Sequence, residues 1–170
     1  MIDLGIERSL YQLIICRLDG YRIDSEPYKK RVINLVKKGI GGFIVFGGNK
    51  EEVSGFINKI QSLSDVPLFI SSDVERGVGQ QIAGANILPS QMAIASAIDW
   101  KNNEDTNLLE NVIEALSMEA IDVGINMPLI PVLDINQDPE NPIICTRAFS
   151  DNRDVVSWFG TFYIQVLQKN

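Results

Sequence analysis

At 170 residues, 45% hydrophobic and 22% charged, the chain is long enough to bury one core and has the composition of an ordinary globular protein. Its net charge of −7 argues against a nucleic-acid binder, which needs a basic surface, and no apolar run reaches bilayer length. There is no histidine, which removes histidine-based catalytic dyads and the common zinc sites.

Cys16 and Cys145 are the two cysteines, too few for a disulfide framework. Residues 1–7 lack the basic and apolar regions of a signal peptide. The expected setting is cytoplasmic, without membrane, metal or cofactor.

Short apolar runs alternate with helical periodicity. A first strand is predicted at 13–16, ending in the polar tip Arg17, Leu18, Asp19, Gly20. A helix follows, with Ser25 as N-cap, Pro27 in its first turn, Val32, Ile33, Leu35 and Val36 on its apolar side and Gly39 as its stop. The second strand, 43–46, is bracketed by glycine pairs. Asn49 with Glu52 three residues on has capping-box spacing, and Val53, Phe56, Ile57 and Ile60 repeat at helical intervals.

Residues 66–77, VPLFISSDVERG, are the central stretch. The run before Asp73 predicts a strand buried on both faces, with Asp73 at its carboxyl end, where parallel α/β folds bind ligands. A polar loop occupies 74–89. Leu108, Leu109, Val112, Ile113, Leu116 and Ile121 predict a long helix closed by Gly124. A fourth strand lies within 125–133, short or irregular because of Pro128 and Pro131, and ends at Asp134. The last helix starts near Ser150 or Asp151, with Val155, Phe159, Phe162, Tyr163 and Val166 on its buried face.

Four strand–helix units in succession imply a parallel α/β sheet. Two architectures satisfy the pattern: a small doubly wound sheet, and half of an eight-unit barrel, which when complete needs ~250 residues. No linker or repeat divides the chain, so residues 1–170 are expected to form a single domain. Gly77-Val78-Gly79 lacks the third glycine of a dinucleotide fingerprint, because Ile82 stands there. What remains is a set of polar groups at predicted strand ends: Arg17, Asp19, Asp73, Glu75, Asp134 and Arg147. Carboxylates there suit sugar hydroxyls, which donate charge-assisted hydrogen bonds to them.

The wording around these residues resembles family 3 glycoside hydrolases. PLFISSDVERG at 67–77 is similar to the family's "PLfis-D-x-E-G-G" segment, and LPSQMA at 88–93 to the box that follows it. NMPLIPVLDIN at 126–136 is similar to "iN-x-x-xaPVlDin", and NPIICTRAFSD at 141–151 to "NPvI-x-x-RsFsdd". The boxes come in the family's order, and GGFIVFGG at 41–48 resembles its second strand.

The resemblance implies a TIM-barrel-like domain of about four βα units, the first half of a barrel whose parent hydrolyses terminal β-linked sugars, β-N-acetylglucosaminides or β-glucosides, with retention. It assigns sugar binding to Asp73 and Arg147, with Glu75 and Asp134 as further binding candidates. The family's "KHFPGHG" box and its "SD" nucleophile motif have no counterpart in the sequence, so no catalytic residue is assigned and the 170-residue chain is expected to be inactive alone. The alternative is a non-catalytic carbohydrate-binding or assembly module. The partners expected are a terminal β-linked sugar at a partial site and, across the open sheet edges, a second copy or a chain carrying the complementing half.

Overall fold

The computed structural model describes residues 5–169. Four strands, β1 (Ile15–Asp19), β2 (Gly42–Phe46), β3 (Phe69–Ser72) and β4 (Met127–Pro128), form one sheet in the order β1-β2-β3-β4, parallel throughout. The helices are α1 (Gly5–Gln12), α2 (Glu26–Lys37), α3 (Lys50–Ser62), α4 (Gln91–Ala97), α5 (Asn103–Val123) and α6 (Arg153–Leu167). The predicted α/β class with successive parallel βα units is the one observed.

The chain separates into two compact units. The first holds the residues up to Asp73 with Gln81–Ala85 and Ala120–Leu129; the second holds Val74–Gln80, Asn86–Glu119 and residues from Ile130 onward.

In the first unit the pairing register sets one row of side chains across the sheet: Arg17 opposite Ile44, Ile44 opposite Ser71, Ser71 opposite Met127. The neighbouring row is Cys16, Phe43 and Ile70. Since side chains alternate between faces along a strand, these rows face opposite ways. Leu18, Phe43, Val45 and Ile70 are buried, together with Val32, Val36, Val53, Phe56, Ile57 and Ile60 of α2 and α3. On the other face Ile15 is 43% and Phe69 56% exposed. The expectation that the β3 run is buried on both faces therefore holds for Ile70, Ser71 and Ser72 and fails at Phe69, where the strand begins.

The first strand also needs correction. Leu13 and Ile14, predicted as strand, sit in the turn that closes α1, their amides donating to Leu10 and Tyr11 carbonyls. The ladder instead takes in Arg17 and Asp19, because polar side chains are tolerated on the open face. The cap of α3 is Asn49, but its side chain accepts from the amide of Glu51 at 3.1 Å, not from that of Glu52. The last helix starts at Arg153, two or three residues later than predicted, because Asn152 caps it by accepting from the Asp154 amide at 2.8 Å. Of the residues assigned to the long helix's buried side, Leu108 and Ile121 are exposed.

Side-chain amides replace missing strand partners in this unit. Gln61 of α3 accepts from Leu68 N at 3.0 Å and donates to Leu68 O at 2.9 Å. Asn126 accepts from Ile70 N at 2.8 Å and donates to Leu68 O at 2.9 Å. A planar carboxamide carries both the donor and the acceptor of a peptide group, so the two segments flanking β3 are held with very few ladder residues. That is how β4 persists with two residues, one of them proline.

The second unit has its own core: Ile94, Leu109, Ile113, Phe149, Val156, Phe159, Tyr163 and Val166, with Trp158 and Phe162 packed against it. Phe149 stacks on Phe159 at 5.0 Å between centroids and meets Tyr163 at 5.3 Å. Such aromatic pairs contribute about 0.5–1.5 kcal/mol each beyond their burial. Burial pushes the Tyr163 phenol above its ordinary pKa.

Candidate sugar-binding site

Asp73 follows the last residue of β3 and belongs to the first unit, where it is half-buried. The three other candidates, Glu75, Asp134 and Arg147, belong to the second unit.

Beyond Asp73 the backbone turns at once. Gly77 N donates to Val74 O at 2.9 Å, and Gly77 holds φ at +82°, a conformation that glycine adopts without strain. Its own Cβ, were there one, would lie 2.6 Å from the Asn86 carbonyl. This turn sends Glu75 inward, where its side chain is 5% exposed.

A buried carboxylate needs a partner, and Arg147 supplies it. Arg147 Nε donates to Glu75 Oε2 at 2.9 Å and Nη2 to Oε1 at 2.6 Å. Two parallel bonds fix both the distance and the plane of the guanidinium. Arg147 ends a 3-10 turn over Cys145–Arg147 in which its amide donates to Ile144 O at 2.7 Å, and Nη1 reaches back to Ile143 O at 3.4 Å. The arginine side chain is 45% exposed, so the pair joins a buried anion to a cation at the surface.

Asp134 is exposed in the extended segment after β4. Its approach is set two residues earlier by Gln91, the buried first residue of α4, which accepts from Val132 N and donates to Val132 O, both at 3.0 Å. Two residues beyond Asp134, Asn136 N donates to Ser150 O at 3.1 Å. The sequence reading did not single out Gln91 or predict α4. The available signal was Pro89-Ser90 ahead of a small apolar run: Ser90 caps α4, its hydroxyl accepting from Ala93 N at 3.3 Å.

Of the two remaining candidates, Arg17 lies inside β1 and Asp19 is its last residue. Arg17 sits over the Phe46 ring at 5.0 Å, and its Nη2 is 4.0 Å from the Asp19 carboxylate, a loose pair. Among the described residues there is no cluster of three metal-ligating side chains and no helix long and apolar enough to cross a membrane.

The class these features define is an α/β domain with a parallel sheet, an acidic residue just past its third strand and, in the second unit, a buried carboxylate held by a guanidinium. Residues 6–170 match the Glycosyl hydrolase family 3 N terminal domain, and the chain belongs to that family. It is 29% identical over 170 residues to a β-N-acetylglucosaminidase/β-glucosidase of Cellulomonas fimi, covering 99% of this chain and 28% of that protein. It is 30% identical over 139 residues to β-hexosaminidase A of Pseudoalteromonas piscicida, covering 76% and 23%. Among solved structures, it superposes with a TM-score of 0.80 and 26% identity on a family 3 β-N-acetylglucosaminidase from Paenibacillus sp. str. FPU-7, covering 97% of this chain and 31% of that one. The chain thus spans less than a third of the length of each of these three proteins.

Proposed function

We propose that this chain supplies part of the sugar-binding mouth of a barrel domain in an enzyme that hydrolyses terminal β-linked sugars, β-N-acetylglucosaminides or β-glucosides, with retention. The observation that carries this reading is the bidentate hold of Glu75 on Arg147. A guanidinium oriented from behind by a buried carboxylate is preorganised to meet a ligand's oxygens, and preorganisation is what a binding site needs from its supporting residues. Asp73, in the family-matched position after β3, takes the role of hydroxyl acceptor, and Asp134 that of a third polar contact.

Retaining chemistry needs a nucleophile and an acid/base placed together. In this reading the 170 residues bind sugar, and their contribution to the reaction is positional. The setting is cytoplasmic. The experiment is Asp73→Ala and Arg147→Ala in the longest protein that contains this chain, assayed with nitrophenyl β-N-acetylglucosaminide and β-glucoside. A loss of about a hundredfold or more in kcat/KM is expected from misplaced substrate; near-normal kinetics in both variants overturns the assignment.

A second reading, an assembly module, is favoured by the sheet edges. Among the described residues β1 pairs with β2 alone and β4 with β3 alone. The unpaired edge of β1, beside exposed Leu13 and Ile15, and that of β4 invite a further strand, from a second copy or from a chain carrying complementary units. Light scattering over a wide dilution range decides it: a monomer at all concentrations counts against assembly.

A further inference from the structure

The first unit contains a cavity of about 560 Å³ that takes in Arg17 and Asp19 and none of Asp73, Glu75, Asp134 and Arg147. Val32 and Leu35 of α2, Phe43 of β2 and Cys16 of β1 give it an apolar wall. Three arginines, Arg17, Arg22 and Arg31, line it as well. In a chain of net charge −7, three guanidinium groups on one cavity run against the overall balance.

The cations are not neutralised locally. Neither Arg22 nor Arg31 has a carboxylate within ion-pair distance among the described residues. Asp19 is the one carboxylate on the cavity, and it is engaged by the Tyr21 amide at 3.2 Å and loosely by Arg17. Arg22 is held in place: its guanidinium lies over the Tyr28 ring at 4.8 Å, and the Tyr28 hydroxyl accepts from Asp19 N at 2.8 Å. The cavity therefore offers an anchored guanidinium at Arg22, a second on α2 at Arg31, a third on β1 at Arg17, and an apolar wall.

We propose that this cavity binds a phosphate group, free or as the monoester of a small sugar-like body. Planar guanidinium forks match pairs of phosphate oxygens, and a dianion relieves the mutual repulsion of the three arginines while outweighing the single carboxylate. The volume lies in the range of small-molecule sites, and the apolar wall suits the body of an ester. The proposal does not depend on the glycosidase reading, because it uses none of Asp73, Glu75, Asp134 and Arg147, which carry that reading.

Cys16 lines the cavity and Cys145 lies exposed elsewhere, so the two thiols report differently. The intact chain is alkylated with iodoacetamide in the presence of glucose 6-phosphate, inorganic phosphate or glucose, and each cysteine is followed by mass spectrometry. Glucose 6-phosphate is expected to slow modification of Cys16 at least fivefold and to leave Cys145 unchanged; glucose is expected to do nothing. Equal protection by inorganic phosphate identifies free phosphate as sufficient, and protection by the ester alone identifies the monoester. In an Arg22→Gln/Arg31→Gln variant with a melting temperature like the parent's, half-protection should need at least tenfold more ligand. Calorimetric titration of unlabelled protein with the same ligands checks binding without the thiol, and Arg31→Lys, which keeps the charge, should fall between parent and double variant. No protection and no heat from either phosphate ligand at millimolar concentration overturns the proposal, as does protection that survives in the folded double variant.

Discussion

Arg147 reaches Glu75 through Nε at 2.9 Å and Nη2 at 2.6 Å, and the two residues stand on opposite sides of an inequality in exposure: the glutamate side chain is 5% exposed and the arginine 45%. Removing the arginine leaves a buried carboxylate uncompensated, whereas removing the glutamate leaves a cation that water can solvate. Arg147→Ala is therefore expected to destabilise by about 1–3 kcal/mol, more than Glu75→Gln. Arg147→Lys should fall between, keeping charge but losing the fork. Urea unfolding monitored by Trp fluorescence measures the order of the three; equal losses would show that the pair contributes only packing.

Two glycines give opposite predictions for the same substitution. A Cβ on Gly42 would meet the Phe69 carbonyl at 2.1 Å, so Gly42→Ala must push β2 from β3 and is expected to cost about 1–3 kcal/mol. A Cβ on Gly55, inside α3, would meet nothing within 4 Å, and Gly55→Ala should stabilise by about 0.5–1 kcal/mol through helix propensity. Midpoints of chemical denaturation that move the same way in both variants would contradict the local geometry.

Alkaline stability is tied to Tyr163. Burial raises its folded pKa above the ordinary value of 10.0, so the folded state keeps the phenol proton after the unfolded state has begun to lose it. The contribution is present below pH 10 and is lost as pH rises beyond it, because ionisation then favours the unfolded chain. Tyr163→Phe is expected to match the parent at neutral pH and to decline less steeply above pH 10 in thermal melts; parallel decline in both proteins would remove Tyr163 from the account.

The N-cap of α4 is a further test. Ser90→Ala removes the acceptor for Ala93 N and should cost about 0.5–2 kcal/mol, while Ser90→Asp should restore most of it. Hydrogen exchange at residues 91–97 gives the local readout, and unchanged protection would show that α4 is held by Gln91 and packing instead.

These tests bear on how far the sequence could be read. The β2 run and the α3 periodicity were legible because Phe43, Val45, Val53, Phe56, Ile57 and Ile60 are buried in the pattern that alternation and the helical repeat require. Helix α1 was not, since it is eight residues long, with Ile6 and Leu10 the only aliphatic side chains to mark its period. Helix α4 is short, and a run of small residues carries little periodicity. The slip at β1 arose because apolarity does not mark pairing: Leu13 and Ile14 are apolar and exposed, while Arg17 and Asp19 are charged and paired. The motif boxes located Glu75 and Arg147, but their bond spans seventy-two positions, and only the fold brings the two side chains together.

Asn126 joins two roles that bear on how long the folded protein lasts. Its carboxamide fastens Leu68 and Ile70, and the residue after it, Met127, is the first of β4 and lies opposite Ser71. Asparagine ages by attack of the following backbone nitrogen on the side-chain carbonyl, a ring closure that requires both groups to leave their present positions. The ring cannot form while β3 and β4 stay paired, so the clasp shields its own amide from decay. Once the sheet opens and the amide becomes an acid, the donor to Leu68 O is gone, and the segment re-closes with two acceptors face to face. Decay at Asn126 is therefore tied to the opening of β4, and each opening that lets it happen leaves β4 held less firmly than before.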